Sequence, residues 1–311
     1  MNKKLIFLGT PTFAVPSLER LIVAGFVPAL VITQPDKPVG RDQVVQSSPI
    51  KIVAEKNSIP VAQPKNKQEL AEIITQAQPD VCVLVAYGMI IPAAVLSLPK
   101  FGFINIHPSL LPRHRGSSPI QAAVLAGDSE TGVTIMQLDE RVDTGPVLIQ
   151  EKIIVSLDDT AHVLHDALAT LGADLLVRVL PEYLNGTVQL QSQDDSQATM
   201  TGMVRRESGR IDWSKSAIMI ERQFRAYSPW PGIFTHIDSQ RLKIAKLSVF
   251  EGSLEVSRQP GQVALGPQQE LLVVCAQGAV ELLEVQLEGK KVVSAQEFIR
   301  GNADFVGTTL A

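Results

Sequence analysis

The chain has 311 residues, 45% of them hydrophobic, which is enough for a sizeable core and predicts about two domains. Its formal net charge is −4, which excludes a protein that binds nucleic acid through overall positive charge. Its two cysteines, Cys82 and Cys275, lie far apart in apolar runs, which excludes a disulfide framework and a CxxC metal site. No stretch reaches the ~18 apolar residues of a membrane span or forms a signal-peptide core, so we expect a cytoplasmic protein.

The N-terminal segments alternate between strand and helix patterns. KLIFLG (4–9) is a short apolar run, a helical pattern follows as far as Ile22, and PALVIT (28–33) is the next apolar run. Strand, helix and strand in close succession are typical of a parallel βαβ unit. VCVLVAYG (81–88) is almost continuously apolar, as expected for a strand covered on both faces. Residues 1–189 therefore predict an open, doubly wound α/β domain with a mostly parallel sheet.

A polar stretch interrupts this domain at residues 34–49. Its sequence, QPDKPVGRDQVVQSSP, is rich in Pro, Gly and Ser. A loop of this length inside a compact domain is uncommon unless it is functional. At its end, Ser48 can cap a helix and Pro49 suits the first helical position.

The strand FGFINIH places an amide and an imidazole on one face. Asn105 and His107 are two residues apart, so both side chains can point into one crevice at the strand end. An imidazole can carry a proton and an amide can stabilise an oxyanion, which makes both residues candidates for catalysis. A carboxylate to orient the histidine is best supplied by Asp143 in the turn DERVDTGP, with Asp139 and Glu140 as competitors.

This segment contains no activated nucleophile. The sequence has no GxSxG motif, and Cys82 is predicted to be buried. An amide, an imidazole and a carboxylate suit direct transfer between two bound substrates, in which the acceptor supplies the nucleophile. GTPTF after the first strand is not GxGxxG, and the HxxH of His162 and His165 has no third ligand nearby, so we expect neither a dinucleotide site nor a metal site.

The C-terminal third has a different pattern. Residues 190–207 lose apolar periodicity and gain Gln, Ser and Asp, which predicts a linker. A helical pattern at 216–226 is followed by short strand patterns from IFTHID (233–238) to AVELLEVQLE (279–288), separated by turn residues. Such strand runs indicate a small antiparallel barrel over residues 208–311.

Five N-terminal motifs resemble those of the folate-dependent formyltransferases, in the order and spacing of that family: FLGTPTFAVPSL, TQPDKPVGR, AYGMIIP, INIHPSLLPRHRGSSPIQ and GVTIMQLDERVDTGPVL. RIDWSKSA, RAYSPWPG and GKKVVSAQEFIRG resemble the C-terminal domain of the family members that act on tRNA. The resemblance covers nearly the whole chain. It implies a Rossmann-like formyltransferase domain followed by an OB-like barrel that contacts tRNA.

The resemblance also implies an activity, namely transfer of the formyl group of 10-formyltetrahydrofolate to the α-amine of methionyl-initiator-tRNA for translation initiation. Asn105, His107 and Asp143 align with the family's catalytic trio, and Arg41 lies in the insertion that reaches the tRNA acceptor end. The positions that border the folate pocket by similarity are Tyr87, Gly88, Ser109, Leu110, Leu111 and Pro112. The resemblance implies a monomer as well, and from the residues themselves we expect neither a metal requirement nor membrane binding.

Alternative functions remain open. The same folate chemistry could serve a small amine, although the C-terminal hundred or so residues then lack a purpose. A hydrolase would pass the formyl group to water, and a non-catalytic RNA-binding protein would not need an intact trio. The loop after Arg41 reads DQVVQ where relatives are often lysine-rich, so we expect fewer phosphate contacts and a shallower salt dependence.

Overall fold

The computed structural model describes residues 3–39, 43–252 and 259–310. By contacts the chain divides into two compact units. The first comprises Met1–Pro119, Ser129–Val155 and Val163–Thr201, and the second comprises Ile120–Asp128, Ser156–His162 and Gly202–Ala311. The boundaries 1–189, 190–207 and 208–311 stay a prediction. In the described ranges, every helix is too short or too polar to cross a membrane.

The strands of the first unit are β1 Leu5–Gly9, β2 Leu30–Ile32, β3 Lys37–Val39, β4 Val44–Gln46, β5 Val61–Ala62, β6 Val81–Val85, β7 Phe103–His107, β8 Arg115–Gly116, β9 Glu130–Gln137, β10 Val147–Ile154 and β11 Met200–Thr201. Those of the second unit are β12 Ile233–Ile237, β13 Gln240–Phe250, β14 Val263–Leu265, β15 Leu271–Val274, β16 Ala279–Leu287 and β17 Val293–Ser294. The α-helices are α1 Val15–Val23, α2 Pro49–Lys56, α3 Lys67–Ala77, α4 Ala93–Leu96, α5 Pro119–Ala126, α6 Ala161–Leu184, α7 Ala217–Tyr227 and α8 Ala295–Gly301.

A seven-stranded sheet forms the centre of the first unit, in the order β10-β9-β7-β6-β1-β2-β5. The five strands from β7 to β5 are parallel, whereas β9 runs antiparallel to β7 and β10 runs antiparallel to β9. All five residues of β1 are buried, as expected for a strand covered on both faces. The predicted mostly parallel α/β fold is confirmed.

The chain order places a switch point in this sheet. From β1 the chain moves outward through β2 to β5, and it then returns to the other side of β1 with β6. Ligands of open α/β sheets bind at the carboxyl ends of the strands near such a reversal. The hydroxyl of Thr10, just after β1, donates to the carbonyl of Tyr87, just after β6, over 2.9 Å. The switch point and the adjacent end of β7 therefore form one edge of the sheet.

The polar stretch at residues 34–49 differs from the predicted loop. It contains an antiparallel hairpin of β3 and β4, and α2 begins directly after it. As predicted, Ser48 caps α2, accepting a hydrogen bond from the Lys51 amide over 3.1 Å, and Pro49 takes the first helical position.

The second unit contains a six-stranded antiparallel sheet. Its main order is β12-β13-β16-β15-β14, and β17 pairs with β16. The register of β13 against β16 shifts between Ile244 and Leu247, an irregularity that increases local bending of a strand. The sheet curls as a half-barrel around buried residues that include Ile244 and Leu282, which confirms the predicted small barrel-like β domain.

Burial of β1 leads to a stability prediction. Ile6→Ala removes a side chain that is completely buried in the central strand and should lower the free energy of unfolding of the first unit by about 2–5 kcal/mol. Val23→Ala, at a position that is 83% exposed on α1, should change it by no more than about 0.5 kcal/mol. Urea denaturation of both variants measures the difference, and equal losses would contradict the assigned burial.

Candidate active site

Asn105 and His107 lie on the same face at the end of β7. The strand pairs in parallel with β6 on one side and antiparallel with β9 on the other, with His107 opposite Thr134. Both side chains are buried, at 7% and 4% exposure. The alternation of side chains along a strand thus brings the amide and the imidazole together as the sequence predicts.

The two ring nitrogens of His107 have different surroundings. Nε2 lies 3.0 Å from the backbone carbonyl oxygen of His114, and Nδ1 lies 3.6 Å from Oδ2 of Asp143. A carbonyl can only accept, so Nε2 carries a proton in this arrangement. Nδ1 is therefore the ring nitrogen that can gain a proton, and a proton there would face the Asp143 carboxylate.

Burial and charge act in opposite directions on His107. Burial lowers the pKa of the imidazole, the Asp143 carboxylate and the His114 carbonyl raise it, and the nearby His114 ring lowers it. The net effect is a pKa below the ordinary value for histidine. His107 is therefore neutral at neutral pH and can accept a proton.

Among the three acidic candidates in the turn after β9, Asp143 faces the histidine. Its Oδ2 also accepts a hydrogen bond of 2.8 Å from the Gly116 amide. Asp139 instead closes the turn, accepting from the Arg141 amide and from the Thr144 hydroxyl. Asp143 has a φ of 53°, in the left-handed region that non-glycine residues seldom adopt. The surrounding contacts must hold this conformation in place.

The segment after β7 is held by β9 and β10. The Thr134 hydroxyl donates to the Ser109 carbonyl over 2.6 Å, and its oxygen accepts from the Leu111 amide over 3.0 Å. The Gln150 amide donates to both the Leu111 carbonyl and Thr134 Oγ1 at 2.8 Å. Ser109 donates to the Arg113 carbonyl over 2.7 Å, and the peptide between Leu111 and Pro112 is cis. These contacts give the predicted Ser109–Pro112 segment a defined shape next to His107.

Tyr87 and Gly88 follow β6 at the same edge of the sheet. Tyr87 is 1% exposed, and burial raises the pKa of its hydroxyl to about 12. Within the described part of the chain, this hydroxyl has no hydrogen-bond partner. Gly88 has a φ of +85°, which glycine adopts without strain. An unpartnered buried hydroxyl at a switch point is a feature that a polar ligand could satisfy.

The base of the β3–β4 hairpin is held by a polar cluster. Lys51 Nζ lies 2.7 Å from Asp36 Oδ2, and Gln63 Nε2 donates to Asp36 Oδ1 over 2.7 Å. The hydrogen bond from Lys51 lowers the pKa of Asp36. Val44 and Val45 on β4 are more than half exposed. Arg41, the predicted tRNA contact, lies outside the described residues.

The segment at residues 193–201 contributes contacts that the sequence did not predict. It falls in the predicted linker, yet β11 pairs in parallel with β8, and Thr201 accepts from the Ser118 amide. Thr199 accepts from the His114 amide over 2.8 Å. The segment has no apolar periodicity, and its partners lie 48 to 86 residues earlier in the chain. Only the polar residue types themselves gave a signal, and polarity alone is equally typical of a solvated linker.

The two cysteines are buried, and the two histidines of the HxxH pattern lie on α6. Cys82 and Cys275 are buried, as predicted, and burial raises the pKa of the Cys275 thiol to about 12. His165 Nδ1 lies 2.8 Å from Asp166 Oδ1, and its ring meets that of Phe13 edge-on. His162 is exposed on α6.

Both parts of the chain match known protein families. Residues 3–180 match the family described as formyl transferase, and residues 203–303 match the formyl transferase C-terminal domain. The curated methionyl-tRNA formyltransferase of Chloroflexus aurantiacus is 45% identical over 303 residues, covering 96% of each chain. That of Coxiella burnetii is 41% identical over 307 residues, covering 98% of this chain and 97% of its own.

A solved structure shares the fold at lower identity. The N-formyltransferase of Helicobacter canadensis, solved with folinic acid and dTDP-3-aminofucose, is 21% identical, with a TM-score of 0.66. The match covers 90% of this chain and 98% of that one. At this identity the likeness extends to the fold alone.

The surroundings of His107 lead to a prediction for its titration. In wild-type protein, the His107 pKa should lie below the ordinary value near 6.5. Asp143→Asn removes the carboxylate that raises this pKa, so the pKa should fall further. An NMR titration measures both values, with the His107 signal assigned by its loss in His107→Ala. A higher pKa in Asp143→Asn than in wild type would contradict the assigned geometry.

Proposed function

Because the chain belongs to the formyl transferase family, we propose that it transfers the formyl group of 10-formyltetrahydrofolate to the α-amine of methionyl-initiator-tRNA. The observation that carries this proposal is the match over nearly the full length, at 41–45% identity, to curated methionyl-tRNA formyltransferases. Both the catalytic and the C-terminal family domains are present. The product, formylmethionyl-tRNA, serves translation initiation, and we propose a monomeric enzyme that acts in the cytoplasm.

For catalysis we assign Asn105 to the oxyanion and His107 to the proton. The methionyl amine attacks the formyl carbon, which gives a tetrahedral intermediate with a negatively charged oxygen. The Asn105 amide, held at the buried strand end, can donate a hydrogen bond to that oxygen. The acceptor amine is the nucleophile, so no covalent intermediate with the enzyme forms. Collapse of the intermediate breaks the bond between the formyl carbon and the folate nitrogen, and that nitrogen takes up the proton that the amine has lost. The formyl group stays on the amine, and tetrahydrofolate is released.

The proton of the attacking amine has a defined destination in this assignment. Nε2 of His107 is engaged with the His114 carbonyl, so the imidazole accepts the proton at Nδ1. The resulting imidazolium faces Asp143 Oδ2, 3.6 Å away, and the carboxylate stabilises its positive charge. Asp143 in turn is held by the Gly116 amide. His107 and Asp143 thus act as a base and its charge-balancing partner.

We assign the folate cosubstrate to the edge formed by the ends of β6 and β7. The bordering residues are Tyr87, Gly88, Ser109, Leu110, Leu111 and Pro112. Two observations fit a flat polar ligand here, namely the buried, unpartnered Tyr87 hydroxyl and the defined shape of the Ser109–Pro112 segment. The cosubstrate supplies the formyl group, and the chain supplies the groups that bind and orient it.

For tRNA we assign Arg41 to the acceptor end and the C-terminal domain to further contacts. The hairpin that flanks Arg41 carries exposed Val44 and Val45, so this part of the contact surface is apolar. Few cations here would mean few phosphate contacts, and recognition would then depend more on shape and on the C-terminal domain.

The first test of this function is a formyl-transfer assay with 10-formyltetrahydrofolate. We expect formylation of methionyl-initiator-tRNA, and none of uncharged tRNA, because only the charged tRNA carries the amine. His107→Ala should lower kcat by about 10²–10⁴ and Asn105→Ala by about 10²–10³. His162→Ala, at an exposed histidine, is the matched control and should keep full activity.

Two outcomes would contradict the proposal. Equal folate turnover with and without tRNA would indicate a hydrolase. Formylation of small amines but not of methionyl-initiator-tRNA would indicate another acceptor.

The assignment of Arg41 gives a separate prediction. Arg41→Ala should raise KM for methionyl-initiator-tRNA with little change in KM for the folate, because the cation is assigned to the tRNA and not to the folate. If Arg41 contacts one phosphate, the plot of the logarithm of the tRNA association constant against the logarithm of salt concentration should become shallower in the variant, by about one in slope. Lys56→Ala, on α2, is the matched loss of a cation. An equal effect of both substitutions would show a general charge effect instead of a contact.

A further inference from the structure

One side chain in the first unit joins the two elements that hold Asp143. The Nε2 group of Gln193 donates to the carbonyl oxygens of Asp143, over 2.9 Å, and of Gly145, over 2.7 Å. Its Oε1 accepts from Nε and Nη2 of Arg115, over 3.1 and 2.8 Å. Both ends of this amide are thus used, one on the turn that carries Asp143 and the other on β8.

The element at the other end, β8, touches both members of the His107–Asp143 pair. The amide of Gly116 on β8 binds the Asp143 carboxylate, and the carbonyl of His114, just before β8, binds His107 Nε2. Gln193 therefore sets how far the backbone that carries Asp143 lies from the backbone that holds His107.

Arg115 makes this connection stiff. Its side chain is 5% exposed, and Nη2 also lies 2.7 Å from Asp195 Oδ1. A buried guanidinium is costly unless its donors are paired, so the bonds to Gln193 and Asp195 hold it in one position. The guanidinium in turn lowers the pKa of Asp195, which stays ionised.

The rest of the 193–201 segment follows β8 closely. Thr199 binds the His114 amide, and Thr201 Oγ1 donates to the Arg115 carbonyl. A Cβ atom on Gly116 would lie 2.3 Å from the Thr201 carbonyl oxygen, and Gly116 has a φ of +112°. Only glycine permits this approach, so the close pairing of the segment with β8 depends on Gly116.

We propose that the 193–201 segment positions the catalytic pair, with the Gln193 amide as the contact that fixes Asp143 relative to His107. The proposal rests on the proposed function for its kinetic part. Gln193 contacts only protein atoms in this role, so it is a positioning residue and not a catalytic one. Its loss should slow the chemical step while leaving substrate binding unchanged.

The test compares Gln193→Met with Gln191→Met in the full-length chain. Methionine has nearly the length of glutamine and no charge. The substitution therefore removes the four hydrogen bonds without introducing a charge near His107. Gln191 is an exposed residue of the same stretch, and its backbone pairs with Val147. The same glutamine-to-methionine substitution at this position therefore serves as the control.

For Gln193→Met we expect kcat to fall at least about 10-fold, with both KM values within about two-fold of wild type. The His107 pKa in the substrate-free protein should fall below that of wild type, because the carboxylate that raises it is no longer held near the ring. The charged groups that act on His107 are Asp143 and His114, and neither is changed. Gln191→Met should match wild type in kcat and in the His107 pKa.

Gln193→Glu separates the two ends of the amide and serves as the second variant if Gln193→Met does not fold. Glutamate keeps an acceptor oxygen for Arg115 but has no N–H for the Asp143 and Gly145 carbonyls. We expect it to lose kcat like Gln193→Met, with a thermal transition close to that of wild type.

Wild-type kcat in Gln193→Glu, or an unchanged His107 pKa in folded Gln193→Met, would overturn the proposal. A lower melting temperature with unchanged kcat would show a purely structural role and would overturn it too. The pKa measurement needs no substrate, so it tests the positioning even if wild-type protein fails to formylate tRNA and the proposed function is wrong.

Discussion

The hydrogen bond between Nε2 of His107 and the His114 carbonyl is the constraint on which the site depends. It leaves Nδ1 as the only ring nitrogen that can gain a proton, and Nδ1 faces Asp143. Three neighbouring parts of the chain produce this arrangement of His107 and Asp143. The strand β7 presents the ring, the segment after it returns the carbonyl, and the turn after β9 brings the carboxylate. A displaced carbonyl would release the imidazole to rotate, and Nδ1 would then no longer be fixed as the proton acceptor of the proposed mechanism.

Burial makes the arrangement both useful and demanding. A low local dielectric strengthens the attraction between an imidazolium and Asp143, but it also lowers the pKa of His107 and penalises every unpaired polar group. Hydrogen bonds offset this penalty. Thr134 and Gln150, for example, pair with the backbone amide and carbonyl of Leu111 in the segment after β7. The polar residues around His107 and Asp143 are therefore needed because this titratable pair is buried.

Patterns local in sequence predicted much of this structure. The apolar runs gave the core strands, the i, i+2 spacing put Asn105 and His107 on one face, and Ser48 with Pro49 marked the start of α2. The β3–β4 hairpin was missed because its short strands lie in a stretch dominated by Pro, Gly and polar residues. The contacts of Gln193 were missed for a different reason, since they depend on single side chains that meet residues far away in the chain. The periodicity of a sequence does not predict such long-range contacts. Resemblance to a family aligns residues, but it does not show which side chains form hydrogen bonds with each other.

In the proposed mechanism the acceptor amine is the nucleophile, and this would explain why so many contacts near His107 serve to position groups. An enzyme that forms no covalent intermediate gains rate by orienting two substrates, by stabilising charge and by moving one proton. Each of these gains falls steeply with distance, so a shift of about an ångström at Asp143 can cost as much as removal of a weak catalytic group. The left-handed backbone of Asp143 makes such a shift easy, because the residue would relax to a more common conformation if its tethers were cut. Gln193 and the Gly116 amide hold it from two directions, so the contacts that position the proposed catalytic pair extend into a segment whose sequence looks like a linker.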